Sequence, residues 1–424
     1  MQKYIFTLCS FLLTQLFISC NNEKSGNDSI VLVNIEANLK KMEAINLSRF
    51  TDSIWYLVFE NKENHHFTAF TRFDISENQI IVTSPNGYIL YDYAGHFISK
   101  IGNKGRGPGE YQFLSGICIG NQKNIYISDL YDILVFNNDG SFVKKYEKSF
   151  LINNIYYITS WITVDDSLFF GHIPNTTGQT EFKALMVNKH GDVKHYYNNY
   201  ILFNYGRTVA SYLENYANIY QFKNLIFYKE LYNDTLFYLN VQYELIPKFV
   251  FNFGKFKEPV SERAKLKGLD VRRYLYLWDV FQTENFLFLR CQFGDQFPAK
   301  RLTPRTLAGG TTSMVNTSQA LGLFNKQTKE LVFCKPTSTD NTLFTSGLYN
   351  DIDAGPRFFP QKQINDSTMV MWVEAKQLKD HVASDDFKNN NPKYPEKKKE
   401  LERLANNLSE FDNPVLMMVT FKRK

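Results

Sequence analysis

The sequence predicts an all-β fold, a β-propeller built from repeated small sheets, and three observations predict it. The first is a recurring hairpin. Residues 134–145 (LVFNNDGSFVKK) match residues 89–100 (ILYDYAGHFISK) position for position, 45 residues apart. Residues 185–193 (LMVNKHGDV) are a weaker copy, and residues 321–332 (LGLFNKQTKELV) keep the pattern without a glycine at the turn. The second is turn chemistry: Asn, Asp and Gly tolerate positive φ and close tight hairpins between apolar strands. The third is the period. Self-similarity at roughly 40–50 residues, with several strands per unit, is the signature of sheets arranged radially around a channel. Composition agrees. The 424 residues include 37 Phe and 26 Tyr, as strands packed face to face require, and only 22 Gly and 13 Pro. A net charge of +5, spread along the chain, argues against nucleic acid as a partner.

The segment between the first two hairpins narrows the reading. Gly105-Arg106-Gly107-Pro108-Gly109-Glu110-Tyr111, followed by Asn124-Ile125-Tyr126-Ile127-Ser128-Asp129, resembles an NHL-type propeller repeat. More narrowly, it resembles the six-bladed β-propeller lipoproteins of Bacteroidetes-type bacteria. Residues 47–54 (LSRFTDSI), 233–238 (NDTLFY) with 247–250 (PKFV), and 412–416 (DNPVL) fit the same family. Together these cover most of residues 45–424. The resemblance implies six blades and a lipid-anchored place in the cell envelope, on the outer membrane. It supplies no catalytic residues.

Taken in order, residues 1–19 read as a lipoprotein signal peptide. Lys3 is a short positive start, and residues 5–18 are mostly apolar but too short to span a bilayer comfortably. Phe17-Ile18-Ser19-Cys20 resembles a lipobox, with small Ser19 before the cysteine and Phe17 where Leu is usual. Cys20 is therefore the expected lipid attachment site. Several acyl chains there would meet the requirement of stable anchoring for more than one. Residues 20–29 read as a tether, and residues 30–424 as the propeller domain. The tether carries only Glu23 and Asp28 as acids, so the periplasmic and surface sides both stay open.

Residues 30–35 predict a first strand and residues 54–59 (IWYLVF) a buried one. The first full blade is expected at 67–73, 79–83, 88–91 and 96–101. The glycine-rich loop 102–109 leads to the second. It lacks the Gly-Lys-Ser/Thr of a phosphate loop and the strand-to-helix setting of a dinucleotide fingerprint, so it reads as a connection that needs positive φ. Arg106 and Glu110 are its candidate ligand-binding residues, equally able to pair with each other. Strands at 156–163, 167–173 and 183–187 make a third blade; 225–228 and 235–239 mark the fourth. Residues 258–276, opened by Pro259, predict a short helical insertion with a solvated basic face at Arg263, Lys265, Lys267, Arg272 and Arg273. Residues 285–293 form a strand in which Arg290 needs a partner or the channel. Residues 309–313 (GGTTS) read as a flexible loop, and 320–333 with 367–374 complete the fifth and sixth blades. Residues 395–410 predict a helix laid on the propeller. Leu401, Leu404, Leu408 and Phe411 form its apolar stripe, and residues 397–400 face away. The last strand, 415–421, is expected to pair with N-terminal strands and close the ring, hiding the edges.

Reactive groups are sparse. Cys9 lies in the leader; Cys118, Cys291 and Cys334 sit in apolar strands without a CxxC and read as buried thiols. The seven histidines form no metal-ligand spacing, and there is no GxSxG. No cofactor or metal is expected, although residues from several blades could still converge on a divalent ion in the channel. The first functional reading is therefore a non-catalytic binding or scaffolding module for a glycan, peptide or envelope protein. The alternative is a metal-dependent lyase or hydrolase with its site in the central channel.

Overall fold

The computed structural model describes residues 29–422, except 63–64, 69–71, 77, 113–115, 121–122, 130–131, 148–157, 166, 204–215, 261–272, 297–301, 307–311, 317–318 and 337–345. The expected signal peptide, Cys20, nearly all of the expected tether and the centre of the predicted insertion at 258–276 lie outside these residues. Six antiparallel sheets form a ring, the all-β propeller that the repeats predict, with the six blades that the resemblance implies. From the centre outward, blade 1 is Phe73–Ile75, Gln79–Ser84, Gly87–Asp92 and Phe97–Ile101. Blade 2 is Gly116–Ile119, Ile125–Ser128, Asp132–Phe136 and Phe142–Glu147; blade 3 is Ser160–Thr163, Leu168–His172, Phe182–Asn188 and Val193–Asn198. Blade 4 is Ala217–Phe222, Leu225–Glu230, Thr235–Leu239 and Leu245–Asn252. Blade 5 is Tyr276–Gln282, Phe286–Gln292, Gln319–Asn325 and Leu331–Cys334. Blade 6 begins with Lys362–Gln363, Thr368–Val373 and Val415–Thr420.

Middle strands are buried on both faces because each blade is sandwiched between neighbours. Ile80, Ile81 and Val82 are consecutive and all fully buried. The outer strand Phe142–Glu147 is mostly exposed, and its Lys144 and Lys145 blunt the edge. One turn design repeats between third and fourth strands. Asp92 Oδ1 accepts from the amides of Ala94 and His96, and Asn188 Oδ1 from those of His190 and Asp192. Asn240 and Asn325 do the same in blades 4 and 5. Gly95, Gly140 and Gly191 take φ of +85 to +89°; the copy lacking glycine places Lys329 at +61° instead.

Blade 6 is completed by the other end of the chain. Strand β3 (Ser53–Leu57) is its outermost strand, antiparallel to Val415–Thr420. Before that, β1 (Val31–Asn34) adds in parallel to the outer edge of blade 4, and β2 (Met42–Glu43) to that of blade 5. The N-terminal segment thus straps three successive blades. Side chains staple the inner strands to one another. Asp74 accepts from the Ile119 amide at 2.8 Å and meets Lys362 at 2.7 Å; Gln363 and Gln282 exchange two hydrogen bonds of 2.9 Å.

Several expectations shift. The first strand of blade 1 is Phe73–Ile75 rather than 67–73, because Phe67 instead packs its ring against Phe59 and Trp372. Thr312 and Ser313 belong to a strand, Thr312–Asn316, that pairs with Leu302–Thr306, so they are not loop. Helix α3 is Pro395–Asn407, preceded by α1 (Ala375–Ala383) and α2 (Asp385–Asn389), which the sequence reading missed. Leu401 and Leu408 are buried as expected, but Phe411 lies past the helix and is 86% exposed. Lys397 and Lys398 do not face away: their ammonium groups reach the carbonyls of Asp52 and Asn390, at 3.0 and 2.6 Å. Arg290 finds its partner in Asp279, at 2.8 Å. Cys118, Cys291 and Cys334 are free, buried thiols.

Trp372 tests the seam between blades 6 and 1. Its side chain is 1% exposed and its ring lies 5.0–5.5 Å from those of Phe59, Phe67 and Phe73. Trp372→Ala is expected to cost about 3–5 kcal/mol in chemical denaturation, the range for emptying a large aromatic site in a core.

Candidate ligand-binding site

Alternation of strand direction gives the propeller two unlike faces. One carries the blade-to-blade connections and the turns between second and third strands. The glycine-rich loop is on this connection face, between blades 1 and 2, where the sequence reading placed it. Its chemistry, however, is turned inward. Glu110 Oε2 accepts from the Gly107 amide at 2.7 Å, and a Cβ on Gly105 would lie 1.9 Å from the same oxygen. Tyr111 is fully buried; its hydroxyl accepts from the Tyr88 amide at 3.2 Å and donates to the Ile101 carbonyl at 3.3 Å. The structure therefore keeps Arg106 and Glu110 apart. Glu110 shapes the loop, whereas Arg106 is exposed and makes no ion pair among the described residues.

A polar seam crosses blades 3, 4 and 5. The Tyr228 hydroxyl bonds the Lys183 carbonyl at 3.1 Å and His172 Nδ1 at 2.9 Å. Lys183 pairs with Glu230 at 3.4 Å. Lys229 sends its ammonium to the carbonyls of Leu277 and Glu230, at 3.0 and 2.9 Å. Burial pushes its pKa down to about 8. Asp279 is held between Arg290 and the Tyr216 hydroxyl, and burial raises its carboxyl despite Arg290. These contacts bond blade to blade. Among the described residues, no three of His, Cys, Asp or Glu stand close enough to hold a metal ion.

A sizeable opening lies elsewhere. A cavity of about 670 Å³ lies beside the Val373 end of blade 6. One wall is the connection from blade 5, with Tyr349, Asn350 and Arg357; the other is α1 and α2, with Asp380, His381 and Asp386. Helix α1 forms because Ala375, Leu378 and Val382 repeat at helical spacing and bury one stripe. Ser384 caps α2 by accepting from the Phe387 amide at 3.2 Å. That Ser-Asp-Asp-Phe start was the available sequence signal for these helices. The connection is kept rigid by a polar knot. Asp353 Oδ1 accepts from the Gly355 amide at 2.8 Å and from Asn350 at 2.6 Å, with Tyr56 at 3.3 Å. His381 Nε2 closes on the Ala354 carbonyl at 2.8 Å, and the Arg357 guanidinium lies 5.1 Å from the centre of the Tyr349 ring.

Comparison with known proteins agrees on the fold. Residues 30–420 match the family model described as a domain of unknown function, DUF4934, and the chain belongs to that family. A Bacteroides fragilis protein described as exported superposes with a TM-score of 0.63 at 17% identity, covering 93% of this chain and 100% of its own. A member of the DUF4221 family from Bacteroides vulgatus superposes with a TM-score of 0.48 at 11% identity, covering 88% and 99%. No curated protein matches. At 17% identity the likeness to the Bacteroides fragilis protein speaks for the fold alone. No described helix is long and apolar enough to cross a membrane.

Asp353 makes the knot pH-sensitive. Burial raises its carboxyl above the ordinary value, and the bonds from Gly355, Tyr56 and Asn350 oppose this only in part. The folded protein thus holds this proton to a higher pH than the unfolded chain does. The stability it contributes is full below about pH 4 and is lost as pH rises through the native pKa. Asp353→Asn, always neutral, should flatten that decline in denaturation curves taken from pH 4 to 8. A variant curve parallel to wild type would assign the slope to another group.

Proposed function

We propose that this member of the DUF4934 family is a non-catalytic binding protein of the cell envelope, lipid-anchored through Cys20, whose ligand seats in the cavity beside blade 6. One observation carries the reading. Between the second and third strands of blade 6 the chain inserts residues 374–414, which extend no sheet of the ring but wall a ligand-sized cavity. Insertions on a rigid scaffold are where binding residues concentrate. The lining favours a hydroxyl-rich ligand, an oligosaccharide: carboxylates and side-chain amides (Asp380, Asp385, Asp386, Asn389, Asn390, Gln377) match sugar hydroxyls as donors and acceptors. A peptide is the second reading, favoured by the excess of acids, which suits basic side chains. Support for the location comes from residues 1–20 and from the exported Bacteroides fragilis protein that shares the fold.

A thermal-shift series on the chain from residue 21, with oligosaccharides, basic peptides and EDTA, tests the seat. A ligand at 100 times its Kd adds about 2.7 kcal/mol, a clear rise in Tm. That rise should vanish in Asp386→Ala and Asn389→Ala, both exposed, with the unliganded Tm unchanged. A rise that survives both changes would move the ligand away from this cavity, and a large fall with EDTA would point to a metal-dependent protein. Anchoring is tested separately: palmitate should label the full chain metabolically and fail to label Cys20→Ala.

A further inference from the structure

A second cavity, of about 430 Å³, opens on the connection face of blade 1, and it has the opposite electrostatic character. Three segments distant in sequence build it. His65 comes from the segment entering from blade 6, Pro85 and Asn86 from the turn between the second and third strands, and Lys100, Asn103 and Lys104 from the start of the glycine-rich loop. Its described lining has two lysines, a histidine and two side-chain amides, and no carboxylate. Lys100 Nζ spends one donor on Asn103 Oδ1 at 3.0 Å, and Lys104 makes no ion pair among the described residues. His65 stacks on Phe97 with ring centres 4.6 Å apart, and its Nδ1 is shut from solvent without a hydrogen-bond partner. Lys62 sits over the same Phe97 ring at 4.7 Å, 3.6 Å from Glu60, the nearby acid. Burial first, then Lys100, Lys62 and His66, lowers the basicity of His65, as a site of positive potential would.

We propose that this cavity binds a sugar-sized ligand through a phosphate or sulfate ester, with Lys100 and Lys104 as the charge partners and Asn103 as a polar neighbour. This site is separate from the cavity beside blade 6. Cations lining a recess attract oxyanions through charge-assisted hydrogen bonds, and a lysine serves as a mobile point charge for such groups. The volume exceeds what a bare ion needs and falls within the usual range for small-ligand sites, about 300–1,000 Å³. The glycine-rich loop contributes by position and not as a backbone cradle. Its Gly105 and Gly107 amides are already taken by the Tyr111 carbonyl and the Glu110 carboxylate. Side chains must therefore hold the anion, which makes the site removable by substitution without unmaking the loop.

Titration calorimetry on the full chain in detergent, at low salt, compares glucose 6-phosphate, glucose 6-sulfate, inorganic phosphate and glucose. The two esters should bind and glucose should not; whichever ester binds more tightly identifies the oxyanion. Lys104→Ala should weaken ester binding at least fivefold, and Lys100→Ala with Lys104→Ala at least tenfold, with Tm unchanged for the exposed Lys104 variant. Lys329→Ala, in a third-to-fourth-strand turn on the opposite face, should leave binding as it is. Absence of binding by both esters, or an equal loss in Lys329→Ala, would overturn the proposal.

Discussion

The pairing of Ser53–Leu57 with Val415–Thr420 is the contact on which the molecule depends. It joins the two ends of the described chain in one sheet, from Ser53 opposite Thr420 to Leu57 opposite Leu416. Closing so long a loop costs on the order of 5 kcal/mol in chain entropy. The strand that receives β3 repays it: Leu416, Met417, Met418 and Val419 are all fully buried, and each such side chain contributes about 1.5–3 kcal/mol. Even numbers of this size are reached only when blades 5 and 1 are in place on both sides. Ring closure and blade packing are therefore one cooperative event. Asp52, at the start of this strand, gathers Lys393 and Lys422, whose bonds hold its carboxyl well below the ordinary range. The strap, the helical insertion and the C-terminus converge there.

From that closure follows the division of labour between the faces. The strap covers the outer edges of blades 4 and 5 with parallel strands, which β1 and β2 do with six residues between them. The inner strands are bonded to each other by Asp74, Asn218, Gln282 and Gln363, so the ring is a stiff frame. The described recesses are carried on the connection face. Two recesses lie there, one rimmed by Asp380, Asp385 and Asp386 and one lined by Lys100 and Lys104. Both are assembled from segments that meet only because the ring brings adjacent blades together.

Much of the frame was legible in advance because it rests on local chemistry. Hairpin turns need an Asx side chain and a residue at positive φ, and both can be read letter by letter at Asp92 and Asn188 with their glycines. The turn from Asn325 to Lys329 shows the limit: without the glycine, Lys329 takes the strained conformation, and only neighbouring pairing reveals it. The recesses were not legible. Glu110 and Arg106 are alike in sequence as polar residues in a glycine-rich loop. Burial of Tyr111 beneath that loop decides that Glu110 turns in and Arg106 out. Helices α1 and α2 were hidden because their apolar positions are few and their partners, Leu47, Ile352 and Phe358, lie far away in sequence.

The sequence by itself determined a period, a turn chemistry and strand patterns, and with them an all-β propeller; the count of six blades came from the family resemblance. These follow from interactions between residues close along the chain and from the demand that middle strands be apolar on both faces. Only the tertiary structure decided which blade edges the strap would cover, that Arg290 would meet Asp279, and where acids and lysines would face open space. Those outcomes depend on distances between residues of different blades, and such distances exist only once the ring has closed.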